Sequence, residues 1–73
     1  MNRPLFKAGD HVYCKDSEEL IQPLTVECLN PWCKPLEKDG QLLYIYYVRG
    51  THRKKGNQLT VTLVENQMKS MIE

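Results

Sequence analysis

The chain has 73 residues and a mass of 8.6 kDa, room for one small domain with a modest core drawn from its 41% hydrophobic residues. Charged residues make up 26%, which argues against wholesale disorder, and ten Lys and Arg against nine Asp and Glu leave a net charge of +1, which argues against a strongly basic nucleic-acid protein or an acidic mimic of one. No apolar run approaches the roughly 20 residues of a membrane helix and the N-terminus carries no signal-peptide stretch, so a single soluble, cytoplasmic domain spanning 1–73 is expected.

Four segments are predicted to be strands, because each is rich in β-branched and aromatic residues and is bounded by turn residues. Gly9-Asp10 announces the first, His11–Lys15, with Val12 and Cys14 inward and His11, Tyr13 and Lys15 outward. The second, Leu24–Leu29, follows Pro23 and stops at Asn30-Pro31, with Leu24, Val26 and Cys28 inward. Leu29–Glu37 holds Pro31 and Pro35, each of which removes a ladder donor, so an irregular loop is expected there. Lys38-Asp39-Gly40 reads as a turn into the third strand, Gln41–Arg49. Leu43, Ile45 and Tyr47 share one face of it, and Leu42, Tyr44, Tyr46 and Val48 share the other. A hairpin loop, Gly50–Gln58, leads to the fourth strand, in which Leu59, Val61 and Leu63 alternate with Thr60 and Thr62. Asn66 suits the N-cap of a short helical turn, with Met68, Met71 and Ile72 plugging one end of the sheet.

Four to five short antiparallel strands and one terminal helical turn predict an all-β fold, a small SH3-like barrel, with an OB-like barrel as the alternative. Its inward layer is expected to hold Val12, Val26, Ile45 and Val61.

Three motifs carry a resemblance. Phe6-Lys7-x-Gly9-Asp10-x-Val12, then Pro23-Leu24-Thr25-Val26-Glu27, then Val64-Glu65-x-x-Met68 are similar to the pattern of the YodC-like group, small uncharacterised bacterial proteins with SH3-like barrels. The resemblance implies that fold and a bacterial or prophage origin, and implies no activity or site. The chain departs from the pattern in its Leu29–Glu37 loop and its basic Arg49–Gly56 hairpin. It also offers Trp32-Cys33 in place of the group's Cys-x-Trp strand.

Charge is unevenly spread. Residues 1–48 carry five basic and seven acidic side chains (5 − 7 = −2), and residues 49–73 carry five basic and two acidic (5 − 2 = +3). Arg49, His52, Arg53, Lys54 and Lys55 crowd the segment before Gly56, while Asp16, Glu18 and Glu19 form an acidic knot. The basic segment is a candidate phosphate-binding hairpin, with Tyr13, Tyr44 and Tyr46 as stacking platforms. A solvated loop with the tyrosines in the core is the plainer outcome. The same tyrosines with Trp32 form a candidate protein-interaction surface or dimer face. Trp32 has two open fates, an exposed anchor or a lid folded over the barrel's open end. The scarcity of large side chains favours the lid.

Cys28-x4-Cys33 with Cys14 and His11 or His52 could complete a tetrahedral zinc set, but no second close ligand pair exists. The odd cysteine count argues against disulfides, so core or loop thiols and no cofactor are expected. Ser17 and Ser70 have no histidine beside them in the pattern, and no phosphate loop is present. The expectation is a non-catalytic binding module, an adaptor or inhibitor that meets another protein or itself. Nucleic-acid binding is the alternative.

Overall fold

The computed structural model describes residues 3–70. The chain is all-β and antiparallel: β1 (His11–Cys14), β2 (Leu20–Leu29), β3 (Leu36–Lys38), β4 (Gln41–Leu43), β5 (Ile45–His52), β6 (Gln58–Val64) and β7 (Met68–Ser70), with a 3-10 turn at Glu65–Gln67. Five strands form one sheet in the order β6-β5-β2-β1-β7, and β3 and β4 form a separate pair. The last strand beside the first, a meander on the other side and a 3-10 turn before the last strand give the strand order of an SH3-like barrel. The ladder does not close: among the described residues β6 and β7 stay as edges.

The entry to β1 forms as its residues dictate. Gly9 takes a φ of 92°, open to glycine, and donates its N–H to the Val26 carbonyl at 2.8 Å. The Asp10 carboxylate accepts the Lys7 N–H at 2.9 Å, which closes the turn. Between β1 and β2, Gln22 replaces missing ladder bonds. Its Oε1 accepts the Cys14 N–H at 3.2 Å, and its Nε2 donates to the Cys14 and Ser17 carbonyls, each at 3.1 Å.

Val12, Cys14, Leu20, Leu24, Val26, Tyr46, Val48, Leu63 and Met68 form the buried core. Val12 and Val26 lie where the sequence put them, but Ile45 does not. In an antiparallel pair, opposed side chains share a face, and Val26 opposes Val48 while Ile45 opposes Val64. Tyr46 and Val48 therefore point inward, and Ile45 is half-buried on the other face. Val61, opposite Val48, faces the core but is only half-buried.

Three further expectations are corrected. Cys28 is exposed, because two steps along β2 from Val26 to Cys28 match one step along β5 from Val48 to Tyr47. Glu27 is the extra residue of a bulge, so Cys28 moves to the outer face with Tyr47. The Leu29–Glu37 loop holds the start of β3, which pairs with β4 through Asp39 (φ 52°) and Gly40 (φ 78°), a two-residue turn with both φ positive. Asn66 sits inside the 3-10 turn rather than capping it: the Val64 N–H is taken by the Gln67 Oε1 at 2.8 Å. Met68 is buried in β7, and Met71 and Ile72 lie outside the described residues.

Candidate interaction surfaces

At the end of β2, Asn30 anchors the turn that displays Trp32. Asn30 is buried, and its N–H donates to the Ile45 carbonyl at 2.8 Å. Its Oδ1 accepts the Trp32 N–H at 2.8 Å, an Asx turn that throws the indole outward. Trp32 is 85% exposed, so the expected lid does not form. Around it in the chain stand Leu29 and Leu36, 42% and 50% exposed, and the exposed thiols of Cys28 and Cys33. The β3–β4 arm forms its own two-stranded pair outside the five-stranded sheet, with Leu36 paired directly to Leu43. Sequence reasoning missed Leu29 and Leu36. Their signal was two leucines bracketing a proline-rich segment that could not enter the main sheet.

The tyrosines do not assemble into one platform. Tyr13 is half-exposed on β1, where it opposes Lys69 of β7. Tyr44 is half-buried and packs against the core. Tyr46 is fully buried, which removes it from any contact surface. Its ring meets Phe6 edge-on with centroids 5.6 Å apart. Its hydroxyl donates to the Glu65 Oε2 at 3.1 Å and accepts the Phe6 N–H at 3.3 Å. The Glu65 side chain is itself buried, which its place in the Val64-Glu65-x-x-Met68 motif did not disclose.

The basic segment divides. Arg49 belongs to β5, not to the hairpin loop, and lies 3.8 Å from Glu27, which also accepts the Thr60 hydroxyl at 2.9 Å. An ion pair this exposed contributes little to stability. His52 ends β5 and organises the loop: its Nδ1 accepts the Lys54 and Lys55 N–H groups at 3.2 and 3.0 Å. Arg53 turns back onto the acidic knot, donating its N–H to the Glu19 carbonyl at 2.8 Å and its Nε–H to the Glu18 carbonyl at 3.3 Å. Lys54 and Lys55 remain exposed at the tip. The basic loop thus docks on the backbone of the Glu18-Glu19 turn. An open depression of about 990 Å³ lies beside that contact, lined by Tyr13, Lys15, Glu18, Arg53 and Lys69 among others. Its lining mixes both signs of charge.

Cys14, buried, and the exposed Cys28 and Cys33 are all free thiols. Among the described residues no three His, Cys, Asp or Glu side chains stand close enough to hold a metal ion. Ser17 is buried with its hydroxyl 3.6 Å from the Cys14 Sγ, and Ser70 lies on β7. No helix among the described residues is long and apolar enough to cross a membrane. Comparison with protein-family models, curated proteins and solved structures returned no match.

Proposed function

We propose that this chain is a non-catalytic protein-interaction module, an adaptor or inhibitor that grips its partner through Trp32 on the turn before the β3–β4 arm. The carrying observation is the 85% exposure of that indole on a turn pinned by a buried asparagine. The Asx bond fixes the backbone that carries the indole, and a tryptophan brings a large apolar area to a contact, one reason Trp is enriched at binding hot spots. Leu29 and Leu36, exposed on either side of it in the chain, are the apolar residues that would join the contact. The same proposal places the module in the cytoplasm of a bacterium or as a prophage product, in line with the YodC-like resemblance of its Phe6–Val12 and Pro23–Glu27 motifs.

Salt and two variants test it. Partners captured on the immobilised chain should stay bound as salt rises and be lost with Trp32→Ala. An Arg53/Lys54/Lys55 triple alanine variant should capture the same set. If single-stranded oligonucleotides bind tightly at low salt, are released as salt rises, and are lost in the triple variant while Trp32→Ala binds normally, the nucleic-acid reading replaces this one.

A further inference from the structure

We propose that β6 is a self-pairing edge, through which two copies of the chain join antiparallel about Val61 into one continuous sheet. Sheet edges are usually blunted by shortness, charge, proline or a bulge. Among the described residues, the other edge of the main sheet, β7, is three residues long and carries Lys69. β6 has none of these protections. It is seven residues long, Gln58-Leu59-Thr60-Val61-Thr62-Leu63-Val64, with no charge and no proline. Its register against β5 is unbroken from Ile45↔Val64 to Thr51↔Gln58, so no bulge turns it away. Among the described residues, β5 is the strand it pairs with.

The occupant is read from the sequence of the edge itself. Leu59-Thr60-Val61-Thr62-Leu63 reads the same in both directions. An antiparallel pair of identical strands centred on Val61 therefore sets Thr60 opposite the partner's Thr62 and Leu59 opposite the partner's Leu63. Like meets like over these five positions of an isologous two-fold contact, and only at the strand ends does Gln58 oppose the partner's Val64. Thr–Thr and Leu–Leu are favourable cross-strand pairs, and no charge opposes another. The burial pattern agrees. Leu59 and Val61 face the core opposite Gly50 and Val48, both buried, yet stay half-buried themselves at the open edge. A second β6 would cover what the unclosed barrel leaves uncovered. The Trp32 turn lies in the β2–β3 connection and supplies no residue to this pairing.

Sedimentation equilibrium of the full chain tests it, from micromolar to millimolar and under reducing conditions that keep Cys28 and Cys33 from bridging copies. The average mass should rise from 8.6 kDa toward twice that value. Thr60 and Thr62 are exposed, so charge there leaves the core intact. Thr60→Lys/Thr62→Lys sets like charges opposite each other twice and should weaken the dimer at least about tenfold. Thr60→Glu/Thr62→Glu should do the same, and an equimolar mixture of the two variants should dimerise again. That recovery also shows that both variants fold. Trp32→Ala should sediment as wild type. The proposal is overturned by a wild type monomeric throughout, by assemblies larger than a dimer, or by a lysine variant that dimerises as well as wild type. Failure of the mixture to recover, or loss of the dimer in Trp32→Ala, overturns it equally.

Discussion

The Tyr46 hydroxyl donates a 3.1 Å hydrogen bond to the Glu65 carboxylate, joining the start of β5 to the 3-10 turn before β7 inside the core. Both side chains are buried. The same oxygen atoms receive the N-terminal segment: the Phe6 N–H reaches the Tyr46 hydroxyl and the Leu5 N–H reaches the Glu65 Oε2 at 3.5 Å. One polar pair thus ties together three parts of the chain that are far apart in sequence. Tyr46→Phe would leave the buried carboxylate short of a donor, at a cost of about 1–3 kcal/mol. Urea unfolding monitored by circular dichroism measures it, and an unchanged midpoint would deny the bond its role.

The same contact sets an alkaline limit. Burial pushes the Tyr46 phenol up from 10.0 to about 12, helped by the bond to Glu65 and by its charge, and opposed by the Phe6 N–H. Because the folded value lies above the unfolded one, the stabilisation is complete below pH 10 and is lost as pH climbs from 10 to about 12. Wild type minus Tyr46→Phe, followed by urea midpoint against pH, isolates this contribution. The difference should hold steady below pH 10 and shrink above it. A difference that stays flat to pH 12 would contradict the buried phenol.

Gly50 is required for a close approach between strands. It is buried in β5, and a Cβ there would lie 2.6 Å from the Leu24 Cδ2 and 3.3 Å from the Leu20 Cβ. Leu24 could swing aside, but Leu20 Cβ is fixed by the backbone of β2. Gly50→Ala should cost about 1–3 kcal/mol by overpacking, read from the urea midpoint. A neutral result would mean that β2 and β5 are less closely packed than this.

These cases show where the sequence was legible. The β1 and β6 faces followed from strict alternation, and the all-β class from four alternating segments. β5 was ambiguous because both of its faces are apolar, so periodicity could not choose between Ile45 and Tyr46. The choice was made by pairing with β2 and β6, a tertiary fact. Cys28 failed for a related reason, since one extra residue at Glu27 inverts everything after it. β2 runs on past Pro23 through an irregular stretch between Ile21 and Thr25, so a start inferred from proline came four residues late. Trp32 was visible as a candidate at once. Its exposure was not, because the Asn30 side chain that holds the turn outward acts through a local bond no periodicity records.

His52 supplies an acceptor that the hairpin needs. With its Nδ1 holding the Lys54 and Lys55 N–H groups, the loop presents a rigid Arg53-Lys54-Lys55 tip. His52→Ala should free those two donors and cost about 1 kcal/mol. His52→Asn, whose side-chain oxygen can reach the same groups, should restore part of it. Trypsin cutting after Arg53, Lys54 or Lys55 reports the loop directly, and cleavage should accelerate in His52→Ala and slow again in His52→Asn. Equal cleavage of all three proteins would show that the imidazole does not order the loop.

Trp32 is the one tryptophan of the chain, so its fluorescence reads one position without labelling. At 85% exposure its emission should resemble that of free indole in water, and acrylamide should quench it almost as readily. Unfolding in urea should then barely move the emission maximum, although circular dichroism shows the sheet being lost. Trp32→Ala should leave stability within about 0.5 kcal/mol of wild type, since an exposed side chain contributes little to the fold. A blue-shifted, quencher-resistant emission in dilute protein, moving to the red on unfolding, would mean that the indole is packed as a lid after all. A blue shift that appears only when a partner is added would instead be the signature of the indole entering a partner's pocket.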